Sequence, residues 1–237
     1  MRRLFIADLH LHSARPQHSR ALIDFCQQRI NADDELYILG DLFEAWIGDD
    51  VGIVTYADVI ACFKQLTSSG TQVFFMAGNR DFLIGNKFCQ ATGIKILPDP
   101  TIITFDNQKT LLMHGDTLCT DDIEYQNFRS LVRDPLWQNQ FLSMTPALRM
   151  QQAAQYRKQS KEMTAHKPNE IMDVNADAVT TAMGHHHVKL LIHGHTHRPQ
   201  VHHLKSGERV VLGDWRGHFD YLSWPQGQAW RIIRESI

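Results

Sequence analysis

"IHGHTHRPQV", residues 192–201, places His193, His195 and His197 within five positions, directly behind the apolar run Val188-Lys189-Leu190-Leu191-Ile192. A run this short and continuous reads as a strand buried on both faces. In open α/β sheets, ligand sites form beyond the carboxyl ends of such strands. The same pattern occurs four times upstream. Leu4-Phe5-Ile6-Ala7 leads into Asp8-Leu9-His10, and Leu36-Tyr37-Ile38-Leu39 into Gly40-Asp41. Val73-Phe74-Phe75-Met76-Ala77 leads into Gly78-Asn79-Arg80-Asp81, and Leu111-Leu112-Met113 into His114-Gly115-Asp116. Between the runs lie helical spacings, Ala21/Leu22/Phe25/Ile30 and Val59/Ile60/Phe63/Leu66, the second stopping at Ser69-Gly70 as a C-cap. Strands alternating with helices predict an α/β sheet. Two apolar runs flanking Pro225-Gln226-Gly227-Gln228 predict a terminal hairpin over 221–233.

Composition narrows the partners. The chain has 237 residues, 43% of them hydrophobic, enough for a full core without a disulfide or a structural metal. A net charge of −2 argues against broad electrostatic binding of nucleic acid. No run approaches the roughly 20 apolar residues of a membrane span. Leu4–Ala7 is too short for a signal peptide and stops at Asp8. Cys26, Cys62, Cys89 and Cys119 form no C-x-x-C and read as reduced thiols, so a cytoplasmic chain is expected. The unusual quantity is 14 histidines.

Asp8, His10, Asp41, Asn79, His114, His195 and His197 combine carboxylate, amide oxygen and imidazole without thiolate, a donor set for Mn, Fe, Zn, Co or Mg. They are too many for one tetrahedral ion and suit two ions sharing a carboxylate. On an extended backbone, Asp8/His10 and His195/His197 would each point to one side. Taken singly, a Gly-Asp is more often a turn and a buried histidine more often a hydrogen-bonded core residue. His193 is read as a brace for its loop and His185-His186-His187 as a solvated helix end. Five clusters at five strand ends favour the metal reading.

Residues 125–170 break the alternation. They are helix-like and carry seven Lys/Arg against three acids, together with Leu136, Trp137, Phe141, Leu142, Met144, Leu148 and Met150. This segment reads either as an inserted helical lid or as a helical layer whose basic face is simply solvated.

The order Asp8-x-His10, Gly40-Asp41, Gly78-Asn79-Arg80-Asp81, His114-Gly115-Asp116, Gly194-His195-x-His197 resembles the calcineurin-like metallophosphoesterases, from the first strand to about residue 197. The resemblance implies a four-layer α/β/β/α sandwich, one domain over 1–237 with 125–170 as its lid. It implies two ions, one held by Asp8, His10, Asp41 and His197 and the other by Asp41, Asn79, His114 and His195, with Asp41 bridging. The strings "YILGDLFEAWIGDD" (37–50), "GNRDFLIG" (78–85), "LLMHGDTLCTDD" (111–122), "IMDVN" (171–175), "LLIHGHTHRP" (190–199) and "RVVLGDW" (209–215) resemble one branch of that family. That branch cleaves the pyrophosphate of a diacylated UDP-sugar in lipid A biosynthesis, by water attack on the α-phosphorus, with Mn²⁺ preferred. The likeness implies two Mn²⁺ ions and a peripheral protein on the cytoplasmic face of the inner membrane; a monomer is expected. It also implies substrate contacts from Asn79, Arg80, His195, Asp122, Ser160, Thr164 and Lys167. Asp81, Asp116 and Asp122 are candidates to orient ligands or substrate.

Arg80 stands where many of the wider family carry a histidine able to protonate a leaving alkoxide. Arginine stays charged and supplies no proton. A phosphate leaving group, with a second pKa of about 6, needs none. Arg80 therefore fits a pyrophosphate substrate, whose oxygens it can clamp, unless it is merely a surface residue following the ligand. Arg80, His195 and Asp41 are the expected catalytic groups. Competing readings are another nucleotide pyrophosphate or a phosphodiester as substrate, or a non-catalytic scaffold.

Overall fold

In β1 (Arg2–Ile6), Leu4 and Ile6 pack into one hydrophobic cluster, while Phe5 and the following Ala7 pack into another. β2 (Glu35–Leu39) and β3 (Gln72–Met76) repeat the split. Leu36, Ile38, Val73 and Phe75 join Leu4; Tyr37, Leu39 and Met76 join Phe5. Successive side chains face opposite sides of a strand, so a strand buried on both sides must be apolar throughout. That is why these stretches carry no polar alternation.

This computed structural model describes residues 1–164, 167 and 171–236, apart from the side chains of Lys161, Met163 and Thr164. The further strands are β4 (Lys95–Leu97), β5 (Thr101–Phe105), β6 (Gln108–Leu112), β7 (Leu190–His193), β8 (Gln200–Leu204), β9 (Gly207–Val211), β10 (His218–Pro225) and β11 (Arg231–Ser236). One sheet runs β11-β10-β1-β2-β3-β4 and the other β5-β6-β7-β9-β8. β1 to β4 are parallel, as are β6, β7 and β9. The terminal hairpin forms between β10 and β11, and β10 closes antiparallel on β1.

Phe5 and Tyr37 from the first sheet share a core with Leu112, Ile192 and Val210 from the second. The outer face of the first sheet is covered by α1 (Pro16–Arg29), α2 (Asp49–Thr55), α3 (Ala57–Ser68) and α4 (Asn86–Thr92), through Leu22, Phe25, Val59, Phe63 and Phe88. Within 125–170 the chain forms most of α5 (Ile123–Arg133), then α6 (Pro135–Ser143) and α7 (Pro146–Thr164). Pro135 opens α6 because a first-turn amide needs no partner, and the Asp134 carboxylate accepts from the amides of Leu136 and Trp137. α8 (Ala176–His185) lays Val179 and Met183 on Leu111 and Leu191, on the outer face of the second sheet. The expected four layers are present. His185 and His187 are exposed at the end of α8, as the sequence suggests. Among the described residues, no helix is long and apolar enough to cross a membrane.

Candidate metal centre and adjoining cleft

Because β1, β2 and β3 are parallel, their carboxyl ends bring Asp8, His10, Asp41, Asn79 and Arg80 to one edge. β6 and β7 deliver His114, His195 and His197 to the matching edge of the second sheet. The two edges meet: the His195 amide donates to Asp8 Oδ2 at 2.7 Å. His10 Nε2 and His197 Nε2 stand 3.0 Å apart, and lie 4.0 and 3.3 Å from Asp8 Oδ1. His114 Nε2 and His195 Nδ1 are 3.0 and 2.9 Å from Asn79 Oδ1. Asp41 stands between these groups, with Oδ2 3.8 Å from His10 Nε2 and Oδ1 3.8 Å from His114 Nε2. All seven candidate ligands of the sequence are thus brought together.

The way they converge differs from the expectation. The backbone is not extended at these pairs. Asp8, His10, Asp41, His195 and His197 have φ of 56, 48, 51, 70 and 54°. Non-glycine residues seldom adopt this left-handed region, which costs roughly 1–2 kcal/mol per residue. Beyond β1 and β7 the chain turns sharply, and the turn aims the alternate side chains of each pair into the same space. Loop hydrogen bonds hold the turns: the amides of Asp8 and His10 donate to the carbonyls of Gly40 and Asp41 at 3.1 and 2.9 Å.

A cation fits this arrangement. Asp8 Oδ1 is buried without a hydrogen-bond partner, which is costly unless a ligand supplies one. The donors are oxygen and imidazole nitrogen, suited to a hard or borderline divalent ion. Glycines keep the approach open: a Cβ on Gly40 would fall 2.3 Å from His114 Nδ1, and one on Gly194 would fall 2.4 Å from Asp8 Oδ2.

The electrostatics are those of a charged cluster under low solvent. Burial opposes ionisation of Asp8, but His197, His114 and His10 bring it down to about 2. Burial likewise opposes protonation of His114 and His197. Asp41, Asp116 and Asp8 nevertheless raise His114 to about 9, and Asp214 and Asp8 raise His197 to about 10. Burial, helped by His114, lowers His195 to about 4. Asp81 is raised to about 7 by burial and then by Asp41, and it braces the loops by accepting from the amides of Gly78 and Phe43. His193 is fully buried with Nδ1 2.8 Å from the Gly194 carbonyl, the bracing role expected of it.

Two carboxylates escape the sequence reading. Glu44 Oε2 lies 3.2 Å from His10 Nδ1, and Asp214 Oδ2 lies 3.4 Å from His197 Nδ1. Each sets a carboxylate against the ring nitrogen opposite the cluster, at ion-pair distance and, for His10 Nδ1, outside hydrogen-bond geometry, on the side from which a ligand histidine is usually fixed. Nothing in their local spacing marks them. Asp116 accepts from Tyr125 Oη and Arg129 Nε, both at 2.7 Å, which ties α5 to the loop after His114.

A cleft opens between the cluster and α5–α7. Asn79 and Arg80 are among its polar lining, with Glu44, Arg129, Arg133 and Arg157; Trp46, Phe82, Phe128, Val132, Trp137 and Phe141 make much of the remainder apolar. Arg80 Nε is buried there without a partner. A neighbouring cleft, sharing Tyr125, Phe128, Tyr156 and Ser160 with the first, is lined by Asp122 and Lys167, whose Nζ lies 2.6 Å from Asp122 Oδ1. Asp122, Ser160 and Lys167 are therefore together. The Thr164 side chain lies outside the described residues.

Residues 1–199 match the family described as calcineurin-like phosphoesterase. Over nearly its whole length the chain is similar to proteins named UDP-2,3-diacylglucosamine hydrolase. The relative from Chromohalobacter salexigens is 46% identical over 236 residues, covering 98% of this chain and 92% of its own. The one from Aromatoleum aromaticum is 49% identical over 229 residues, covering 94% and 93%. The one from Escherichia coli O7:K1 is 46% identical over 219 residues, covering 91% of each.

Proposed function

The chain belongs to the calcineurin-like phosphoesterase family, and within it to the UDP-2,3-diacylglucosamine hydrolases, and from this we propose that it hydrolyses the pyrophosphate of UDP-2,3-diacylglucosamine by water attack on the α-phosphorus. The products are UMP and 2,3-diacylglucosamine 1-phosphate. The observation that carries the reading is the junction of the seven-residue cluster with an apolar cleft, made at Asn79 and Arg80.

In this reading Asp8, His10, Asp41 and His197 would hold one Mn²⁺ ion, and Asp41, Asn79, His114 and His195 would hold a second. When bound, such a pair supplies Lewis-acid stabilisation and a water acidic enough to react at neutral pH. Asp41 would contribute to both sets, since Oδ2 lies towards His10 and Oδ1 towards His114. Arg80, with Nε otherwise unpaired, donates to the phosphoryl oxygens with His195 and stabilises the charge that builds there. It also clamps the leaving phosphate, which needs no protonation. Asp122, Ser160 and Lys167 hold the glucosamine and its phosphate.

Helices α5–α7 act as the lid. Burying acyl chain is worth about 0.8 kcal/mol per methylene, so ten methylenes give roughly 8 kcal/mol. The walls of Trp46, Phe82, Phe128, Val132 and Trp137 offer that burial. Leu131, Leu136, Leu148 and Met150 of these helices are exposed, which suits a monomer seated on the cytoplasmic face of the inner membrane. Hydrolysis in ¹⁸O-water tests the chemistry: label in UMP supports α-attack, and label in the sugar phosphate overturns it. UDP-GlcNAc and a chromogenic diester should turn over far more slowly. Equal turnover of the unacylated sugar nucleotide would remove the lid's role.

A further inference from the structure

The two histidines nearest Asp8 are backed by carboxylates, and the carboxylates are held differently. Asp214, behind His197, is held locally: Arg216 Nε, two residues along, lies 3.0 Å from its Oδ2. Glu44, behind His10, is held from the lid. Arg157 of α7 donates through Nη2 to the Glu44 carbonyl and to Oε1 at 3.1 Å, while Oε2 faces His10 Nδ1 at 3.2 Å. Arg15 Nη2 is more distant, 4.0 Å from Oε2. One carboxylate thus touches the lid with one oxygen and His10 with the other. Arg149, two turns earlier on α7 and almost fully buried, reaches the same segment through the Ile47 carbonyl at 2.5 Å and Asp50 Oδ1 at 2.9 Å. The segment is in turn joined to the His10 loop, since the Glu44 amide donates to the Leu11 carbonyl at 2.9 Å.

We infer that Arg157 is a positioning residue for the metal centre: through Glu44 it sets the ring of His10, so that metal affinity depends on the seating of α7. The inference rests on the metal reading proposed above. A ligand histidine held from behind keeps one tautomer and one orientation, and losing that support costs about 10–100-fold in metal affinity. Coupling of this kind is reciprocal. Whatever seats α7 tightens metal binding, and bound metal steadies α7 over the cleft. The His197 side, supported by Arg216 on its own loop, does not take part in this coupling.

The test is titration of the metal-free full-length protein with Mn²⁺, with free ion read by electron paramagnetic resonance. Glu44→Gln is expected to weaken binding about 10–100-fold and Arg157→Ala about tenfold. Because the two act in series, the double variant should bind no more weakly than Glu44→Gln alone. Arg157→Lys should restore most of the loss. Combined with Arg216→Ala, which acts through Asp214, the Arg157→Ala loss should instead multiply. Should Arg157→Ala not fold, Arg157→Gln carries the same comparison. Affinity within about twofold of the parent in the Arg157 variant, or losses that multiply with Glu44→Gln, overturns the inference while leaving the metal reading standing. A parent protein that binds no Mn²⁺ overturns both.

Discussion

Gly78 lies against Asp41 so closely that a Cβ on it would fall 2.2 Å from Oδ1 and 2.3 Å from the Asp41 backbone nitrogen. The loop after β3 can pass the loop after β2 only without a side chain there. The same approach lets the Arg80 amide donate to Asp41 Oδ1 at 2.8 Å. Gly78→Ala should therefore displace the carboxylate shared by both halves of the centre. We expect Mn²⁺ affinity to fall by about 10–100-fold, the scale of a lost supporting contact, with an unchanged far-ultraviolet circular dichroism spectrum. A variant that binds Mn²⁺ like the parent would show that the loop yields and that Asp41 does not need its present place.

Arg80 contributes a backbone carbonyl to Trp46, 3.1 Å from its amide, while its side chain faces the cleft with Nε unpaired. A group that meets charge developing in the transition state should act on kcat more than on KM. Arg80→Ala should lower kcat on UDP-2,3-diacylglucosamine by about 10²–10³-fold. Arg80→Lys should recover only part of it, since lysine cannot donate bidentately. A raised KM with unchanged kcat in steady-state assays would reduce Arg80 to a binding residue.

The five strands that end in the centre were legible because each is buried on both faces and so reads as an unbroken apolar run, Leu4–Ala7 and Leu190–Ile192 among them. The short strands β4 and β8 were not, because Lys95, Ile96, Gln200 and His203 are exposed and carry no such pattern. That seven candidate ligands converge was legible from residue type and position, but the geometry was not. Spacing of two suggested extended backbone, whereas the chain turns left-handed at Asp8, His10, His195 and His197. Glu44 and Asp214 were invisible because any acidic residue looks alike in one dimension. Arg157 and Glu44 are 113 residues apart, and only the docking of α7 joins them.

Asp34 offers a stability test remote from the centre. It is buried and accepts from the Arg2 amide at 2.8 Å, from Arg2 Nη2 at 2.6 Å and from the Asn31 amide at 3.0 Å. Burial would raise its pKa, but these donors outweigh it and hold the carboxyl below its usual 3.8. A depressed folded pKa gives stability that is present above the unfolded value and is lost as pH falls through the folded one. Asp34→Asn should thus be destabilised by about 1–3 kcal/mol at pH 7. In urea titrations the gap from the parent should close as pH drops below about 4. A gap independent of pH would assign the loss to packing and not to charge.

Removal of metal should be visible in stability as well as in catalysis. In the metal-free protein His197 is held protonated up to about 10 by Asp214 and Asp8, against the opposing effect of burial. A raised folded pKa stabilises fully below the unfolded value near 6.5 and is lost as pH rises through the folded one. The metal-free protein should therefore weaken between about pH 7 and pH 10. Mn²⁺ requires the neutral ring, so proton and cation compete, and metal affinity should rise over the same window. Free Mn²⁺ at 100 times its Kd adds about 2.7 kcal/mol. For a chain of this size that is a rise in Tm of roughly 5–11 °C. Calorimetry of chelated and Mn²⁺-loaded protein at pH 7, 8 and 9, at fixed total Mn²⁺, should show the rise growing with pH. A rise that is the same at all three values would mean that His197 is already neutral before the cation arrives, and one of zero would mean that no cation is held.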